Sequence, residues 1–496
     1  MQSMNSGTLC SRNVYLRILR KKRCYADMTL VIKLLFVRPR TLHVSRELRQ
    51  QLMDQRRSQV ALTDVRFLCS SGRWRPAQAA SFCSSSEDGK PRPSMLKHLR
   101  SKIQSTGPIS VSEYMKEVLT NPVTGYYVRK NMLGADGDFI TSPEISQVFG
   151  ELLGVWIISE WMGAGRPKRL QLVELGPGKG SLASDILRVF SQLQSVVGGA
   201  SVSVHLVEVS PVLSRLQAET LTGNRSEEAS SEDDPVYRRG ETEGGVSVSW
   251  YRRLEDVPAA FSIFVAHEFF DALPVHKFQR TEKGWREVLV DIDPADPDRL
   301  RFVMAPTPTL ASSTLVQAEE RRDHVEVCAE GGVIVQQLAR RIQEEGGAAL
   351  IADYGHDGTK TDTFRGFKGH RLHDVLLAPG SADLTADVDF SFLRRMAGGG
   401  VACLGPVSQR SFLRNMGIDA RMQVLLRNCS DPSVRKQLIS SYDMLTNPAK
   451  MGERFQFFSL LHRARLAAPK TPEGLKLEKK SPAPLPVAGF TELSLS

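Results

Sequence analysis

Two hydrophobic patterns alternate over most of the chain. Short apolar runs that end near an acid or a glycine are typical of buried strands, and they occur at 170–175, 202–209, 246–250, 261–266 and 348–351. Between them, apolar residues recur three and four positions apart, which predicts amphipathic helices that begin near Ser181 and Pro211. The alternation predicts an α/β fold, with helices covering both faces of a mostly parallel sheet.

Several regions depart from this alternation. Helical spacing precedes the first strand, with breaks near Gly107 and Asn121 and a long helix predicted from Pro143 to about Met162. Residues 275–308 have the pattern of antiparallel hairpins, and 223–245 hold seven acidic residues and are predicted to be a solvated loop. The resulting division is a segment outside the fold (1–90), a helical N-terminal region (91–165), the first half of the core (166–274), an insertion or lid (275–345), the second half of the core (346–465) and a Lys/Pro-rich tail predicted to be disordered (466–496).

The positive charge of the chain is confined to its N-terminal segment. The 496 residues carry a net charge of +10, of which residues 1–86 contribute +12 and the other 410 residues −2. An Arg- and Ser-rich, acid-poor segment is typical of a mitochondrial transit peptide; the alternatives are a disordered tail or a later start at Met28 or Met53. Because a nucleic-acid-binding protein normally carries the charge on its folded domain, that class is not expected.

Membrane and disulfide classes are also not expected. The longest apolar run, residues 28–37, is ten residues long and contains Lys33, whereas a transmembrane helix needs about 18 or more apolar residues. Four of the seven cysteines lie in the N-terminal segment, and the other three form no C-x-x-C pair. This usage predicts free thiols in a reducing compartment.

The strongest chemical motif is the segment VELGPGKGSL at 173–182. Glu174 ends a strand, Gly176, Gly178 and Gly180 follow at alternate positions, and a helix then begins. Glycines permit a sharp turn and close backbone approach to a ligand. A dinucleotide fingerprint needs glycine where Ser181 stands, and the E-x-G-x-G-x-G spacing instead resembles motif I of class I S-adenosylmethionine-dependent methyltransferases. The alternative is a glycine-rich turn without a ligand.

Further acids follow other predicted strands. Glu208 ends the second strand, where a carboxylate can accept the ribose hydroxyls of a nucleoside. Glu268 and Asp271 follow the strand at 261–266, and Asp353 follows the strand at 348–351. Carboxylates at these strand ends would suit a cationic methyl acceptor such as a guanidinium. The alternative is that these acids, like the three acids within 382–390, are helix caps or surface residues.

Two other classes of site have little support. His370 and His373 are the only closely spaced histidines, and neither a cysteine nor a third strong ligand lies near them, so no metal site is predicted. No G-x-S-x-G motif is present that could supply a hydrolase nucleophile.

Six separated segments resemble one known family. They are GDFITSPEISQVFGE (137–151), VELGPGKGSL (173–182), HLVEVS (205–210), AHEFFDALPVHKF (266–278), ADYGHDGTKTDTFRG (352–366) and ADLTADVDF (382–390). Together they look like the MidA family of class I methyltransferases, most of all its mitochondrial protein arginine methyltransferases that act as complex I assembly factors. The resemblance spans about 91–465, and Lys179 departs mildly from it, since many relatives carry arginine there.

The resemblance implies a class I methyltransferase fold with an added helical and antiparallel lid, S-adenosylmethionine as cofactor and a location in the mitochondrial matrix. It also implies symmetric ω-N dimethylation of an arginine in the NADH dehydrogenase iron–sulfur protein 2 subunit of complex I. The cofactor would lie against Glu174, Gly176, Gly178 and Gly180, with its ribose on Glu208. The catalytic candidates are Glu268, Asp271 and Asp353. One rival is a non-catalytic assembly chaperone that retains the fold; a weaker one, a nucleotide-dependent oxidoreductase, is disfavoured by Ser181.

Overall fold

The computed structural model describes residues 94–129, 141–223, 225–231, 233–466 and 486–491. The predicted transit peptide lies outside the described residues. The α-helices of the described part are α1 (Met95–Thr106), α2 (Val111–Thr120), α3 (Tyr126–Arg129), α4 (Ser142–Ile145), α5 (Gln147–Gly163), α6 (Ser181–Gln192), α7 (Gln194–Val197), α8 (Pro211–Thr222), α9 (Leu310–Thr314), α10 (Ala329–Glu345), α11 (Phe390–Ala397), α12 (Gln409–Asn415), α13 (Ile418–Asn428) and α14 (Pro432–Thr446).

The strands fall into one large and two small sheets. They are β1 (Ile109–Ser110), β2 (Arg169–Leu175), β3 (Ser201–Val207), β4 (Ser226–Glu228), β5 (Val236–Glu241), β6 (Ser247–Tyr251), β7 (Ser262–His267), β8 (His276–Thr281), β9 (Gly284–Asp293), β10 (Asp296–Met304), β11 (His324–Val327), β12 (Gly347–His356), β13 (Arg365–Lys368), β14 (Arg371–His373), β15 (Asp383–Thr385), β16 (Val388–Asp389), β17 (Val401–Ser408) and β18 (Phe455–His462).

The large sheet has the order β17-β18-β12-β7-β2-β3-β6-β5-β4, with β16 paired to β12. The five strands from β12 to β6 are parallel, and β18 is antiparallel to its neighbours. The chain passes from β2 outward through β3 and β6, then returns to β7 and moves outward in the other direction. Open α/β sheets bind ligands at the carboxyl ends of the strands beside such a reversal. The predicted α/β class is confirmed: the centre of the sheet is parallel and Rossmann-like, and antiparallel strands flank it on both sides.

The predicted loop at 223–245 is wrong in part, because β4 and β5 lie within it. β5 pairs antiparallel with β6 and so extends the edge of the sheet. Its side chains are mostly polar, and Arg238 is buried in a contact with Glu228. These strands are stabilised by pairing along an open strand edge and by an ion pair. The hydrophobic pattern of the sequence indicates neither of these interactions.

The first part of the long predicted helix is interrupted. α4 ends at Ile145, and Ser146 is extended and accepts a hydrogen bond from Val148 N that caps α5. α5 is buried nearly throughout and packs closely on α6: a Cβ on Gly150 would lie 2.5 Å from Cβ of Asp185. Because glycine has no side chain, α5 and α6 can approach closely. α5 forms one layer over the sheet.

The predicted antiparallel insertion is present as β8, β9 and β10. These strands join β1 and β11 in a five-stranded sheet. α1 and α2 pack on this sheet through an apolar cluster that includes Leu99, Tyr114 and Val290. β13, β14 and β15 form a three-stranded antiparallel sheet. These elements add cover beside the carboxyl ends of the large sheet.

Part of the tail that was predicted to be disordered is packed. Within residues 486–491, Val487 and Ala488 are buried and the Phe490 ring lies 5.6 Å from that of Phe412. Apolar residues in this short segment thus contact α12. The Lys/Pro-rich composition of the surrounding tail does not indicate this contact. In the part of the chain that the structure describes, no helix has the length and apolarity to cross a bilayer.

Candidate functional site

A cavity of about 1470 Å³ opens at the carboxyl ends of β2, β3 and β7. Residues from the helical N-terminal region and from the three-stranded sheet also line it. Its lining is rich in acids, contributed by Glu144, Glu174, Glu208, Glu255, Glu268, Asp271, Glu330, Asp383 and Asp387. Most predicted site residues therefore converge on one cavity.

The glycine turn after β2 forms one wall of the cavity. Gly176, Gly178 and Gly180 have φ angles of 62°, 54° and 81°, in the left-handed region that favours glycine. A Cβ on Gly176 would lie 2.7 Å from Cδ2 of Phe269, so a larger residue does not fit there without rearrangement. Gly176 and Gly178 line the cavity, whereas Gly180 is the N-cap of α6 and is not among the lining residues.

Glu174 is a buried acid with an oxygen that has no partner. The residue lines the cavity and is 3% exposed, and its buried Oε2 atom has no hydrogen-bond partner among the described residues. Burial raises the pKa of this carboxyl group to about 8. An unpaired carboxyl group beside a cavity fits a ligand that brings a positive charge.

Glu208 directly follows β3 and is linked to the glycine turn. One carboxylate oxygen accepts from Ser210 N at 2.7 Å and the other from Gln217 Nε2 at 2.9 Å. Gln217 Nε2 also donates to the Gly178 carbonyl oxygen at 2.7 Å. Burial raises the pKa of Glu208 to about 7. A carboxylate offers about four acceptor positions, so Glu208 retains capacity for a further hydroxyl group.

Glu268 lies at the end of β7 in a strained conformation. Its φ of 50° is unusual for a residue with a side chain, and such strain is concentrated at functional sites. Its Oε1 accepts from Ser142 N at 3.3 Å. Burial, and secondly the nearby Asp271, raise the pKa of Glu268 well above its ordinary value. The His267 Nε2 atom is also 3.3 Å from Oε1 but is not aligned for a hydrogen bond, and burial lowers the His267 pKa to about 3, so its ring is neutral.

Asp271 and Asp353 occupy different positions around the turn after β7. Asp271 is buried but lines the cavity, and Asp353 is fully buried and is not among the lining residues. Oδ2 of Asp353 accepts from the backbone N of Phe269, Phe270 and Asp271 at 3.1, 2.9 and 3.3 Å. Burial raises the pKa of both aspartates, and the charge of Asp271 raises that of Asp353 further. Asp353 therefore lies under the turn that follows β7 and outside the cavity lining.

Several lining residues were not among the predicted site residues. The hydroxyl of Tyr127 donates to Asp383 Oδ1 at 2.7 Å. Two cations hold Asp387: Lys360 Nζ lies 2.6 Å from Oδ2, and Arg365 Nη2 lies 2.6 Å from Oδ1. The acids were visible in the sequence as the cluster at 382–390, and Arg365 lies in the family-like segment 352–366, but nothing local in the sequence indicated Tyr127. Folding of the three-stranded sheet against the large sheet brings these groups to the cavity.

The closely spaced histidines do not act together. His373 Nε2 lies 2.9 Å from the Leu377 carbonyl oxygen, while His370 lines the cavity. The described residues contain no group of three or more His, Cys, Asp or Glu side chains placed to hold a metal ion. Cys328, Cys403 and Cys429 are free thiols.

Comparisons with known proteins identify the family. Residues 152–407 match the model of a family of S-adenosyl-L-methionine-dependent methyltransferases. The chain is 68% identical over 413 residues to the mitochondrial protein arginine methyltransferase NDUFAF7 of Danio rerio, covering 83% of this chain and 95% of that protein. It is 60% identical over 414 residues to the human protein of the same name, covering 83% and 93%.

A solved structure supports the same assignment. A protein from Burkholderia thailandensis, crystallised with S-adenosyl-homocysteine, is 26% identical and superposes with a TM-score of 0.60 over 74% of this chain and 92% of its own. The cavity fits this kind of ligand. It combines a turn that excludes a Cβ at Gly176, an unpaired acid at Glu174 for a positive charge, and acceptor capacity at Glu208 for a ribose. The chain belongs to the MidA-like family of S-adenosylmethionine-dependent methyltransferases, as its motifs predicted.

Proposed function

We propose that this protein transfers a methyl group from S-adenosylmethionine to a guanidinium nitrogen of a protein arginine. The observation that carries the proposal is the pair of buried acids, Glu268 and Asp271, which lines the same cavity as the glycine turn. Paired carboxylates match the planar fork of a guanidinium, whereas a lysine ammonium is a point charge and requires no such pairing. The names of the Danio rerio and human relatives support the same acceptor.

On the cofactor side, we propose that Gly176 and Gly178 form the surface against which S-adenosylmethionine lies. Glu208 accepts hydrogen bonds from its ribose, and Glu174 balances its positive charge. Gly180 contributes indirectly, since it begins α6 and so orients the N-terminal N–H groups of that helix. When bound, the cofactor supplies an electrophilic methyl group on a sulfonium.

On the acceptor side, the residues orient the guanidinium and remove its proton. A guanidinium has a pKa above about 12 and does not ionise in advance. As one nitrogen bonds to the methyl carbon and the C–S bond breaks, that nitrogen releases a proton. With the cationic guanidinium bound beside it, Glu268 is held as the carboxylate and accepts the proton; burial and Asp271 make it the stronger base, and Asp271 pairs with a second nitrogen. Asp353 holds the turn that carries both acids.

The product and the setting are further parts of the proposal. We propose symmetric ω-N dimethylation of an arginine in the NADH dehydrogenase iron–sulfur protein 2 subunit, in the mitochondrial matrix, during assembly of complex I. Residues 1–90 would serve as the transit peptide, since they carry the positive charge of the chain. The mitochondrial names of the relatives support the compartment.

The experiment is incubation of the purified protein with S-adenosylmethionine and the complex I subunit, followed by tandem mass spectrometry. Loss of monomethylamine from the modified arginine identifies symmetric dimethylation, and loss of dimethylamine identifies the asymmetric product. We expect the symmetric product on one arginine. An unmodified subunit with normal cofactor binding would instead support a non-catalytic assembly chaperone.

A further inference from the structure

The mouth of the cavity is lined by exposed apolar side chains. Ten large apolar residues are exposed in the described part of the chain, and four of them line this cavity. Val209, Val333, Leu372 and Met444 are 62%, 49%, 74% and 36% exposed. By contrast, Asp271 on the floor of the cavity is 6% exposed. The cavity therefore has an acidic floor beneath an apolar mouth.

These four residues come from separate parts of the fold. Val209 follows β3, Val333 lies on α10, Leu372 lies on β14 and Met444 lies on α14. A single exposed aliphatic residue is ordinary on a protein surface, but convergence of several around one opening is typical of a binding surface. None of the four is needed to fill the core, since all are solvent-exposed.

The size and charge of the cavity indicate what occupies it. Pockets for small ligands measure about 300–1000 Å³, so a cavity of about 1470 Å³ has room for more than the cofactor. The acids on the floor complement a cation, and the mouth complements aliphatic groups on either side of it. Arg252, Arg253 and Arg454 also line the cavity and would repel further positive charge on the ligand.

We propose that the acceptor is an extended polypeptide segment whose arginine is flanked by large aliphatic side chains, which bind the apolar mouth while the guanidinium reaches the floor. Leu372 and Val333 are specificity-determining residues for these flanking positions. This inference rests on the proposed function, because it takes the cation on the floor to be the acceptor arginine.

The test compares two peptides that differ only around a central arginine. One carries leucine and valine on both sides, and the other carries glycine at those positions. With the intact protein and S-adenosylmethionine, we expect kcat/KM to be about tenfold or more higher for the aliphatic peptide, mainly through a lower KM, because apolar contacts stabilise the bound peptide. Equal kcat/KM values, or a preference for the glycine peptide, would overturn the proposal.

Matched variants locate the preference on the protein. The double variant Leu372→Ser with Val333→Ser should reduce the preference to about twofold or less with kcat nearly unchanged. The control, Leu310→Ser with Ile439→Ser, replaces residues that are 81% and 54% exposed but do not line the cavity, and it should retain the preference. An equal loss in both double variants would contradict the assignment. Absence of transfer to the intact subunit as well as to both peptides would instead contradict the proposed function itself.

Discussion

Replacement of Glu174 by glutamine should weaken the dependence of cofactor affinity on pH. In the free protein, burial raises the pKa of Glu174 to about 8, and one of its oxygens has no partner. If the positive charge of S-adenosylmethionine pairs with this group, Glu174 must be ionised in the complex. Binding then releases a proton wherever the free protein holds one, and affinity falls as the pH is lowered below about 8.

The size of the pH effect on cofactor affinity follows from the pKa values of two buried acids, Glu174 and Glu208. At about pH 7, a group with a pKa of about 8 is about nine-tenths protonated, so Glu174 should release about 0.9 proton on binding. Between about pH 8.5 and 6.5, this linkage weakens binding about 25-fold. Glu208, with its pKa raised to about 7, contributes at most about a further fourfold over that interval. Glu174→Gln removes the first contribution and retains the second.

Isothermal titration calorimetry in buffers of different ionisation enthalpy measures the released protons directly. Protons released by the cofactor itself are the same for wild type and for Glu174→Gln. The difference in proton release between the two proteins therefore measures the contribution of Glu174. Folding stability depends on pH in the opposite direction to cofactor affinity. Because the pKa of Glu174 is raised in the folded state, this group makes the free protein less stable as the pH rises from about 4.5 through about 8. The gain in thermal stability of the variant over wild type should therefore be larger at about pH 8.5 than at about pH 6, and should vanish near about pH 4. Equal proton release by both proteins would refute the reasoning.

Three further predictions concern other parts of the chain. Gly176→Val places a branched side chain against Phe269 at a left-handed φ, so titration should show collapsed S-adenosylmethionine affinity in a protein whose circular dichroism is unchanged; normal affinity would refute the cofactor assignment. Asp353→Asn weakens the three backbone hydrogen bonds under the turn, each worth about 1 kcal/mol, so thermal unfolding should occur earlier and methyl transfer should slow more than cofactor binding; unchanged transfer would contradict the positioning role. Residues 1–90 fused to a reporter should suffice for import into the mitochondrial matrix, and a cytosolic reporter would contradict the transit-peptide assignment.

The residues of the proposed cofactor side could be placed together from the sequence because they are close in the chain or lie at strand ends. Glu174 lies in β2 and Gly176 in the turn that follows it, and parallel strands bring Glu208 to the same edge of the sheet. The acceptor side depends on contacts between distant segments. Tyr127 on α3 and Asp383 on β15 are 256 positions apart, and only the folded chain brings them together. Asp353 was predicted as a catalytic candidate from its place after a strand, and the sequence does not reveal that its Oδ2 atom accepts hydrogen bonds from three backbone donors.

Two local differences between the predicted and the observed secondary structure have the same physical origin. The polar strands β4 and β5 are stabilised by pairing with the edge of β6, which the composition of an acidic segment does not indicate. The break at Ser146 depends on a side-chain cap in an otherwise helical pattern. Periodicity therefore predicts the elements with strong apolar faces, while edge pairing and capping require knowledge of neighbours.

The most direct test of the central claim is single-turnover methyl transfer by Glu268→Gln. The substitution preserves size but removes the charge and basicity that the mechanism assigns to this residue, and Glu282→Gln, an exposed change in the turn between β8 and β9, is the matched control. We predict cofactor affinity within about threefold of wild type and a transfer rate lower by about a hundredfold or more, the scale for removal of a positioned acid–base group. Transfer to the complex I subunit at the wild-type rate would contradict the account.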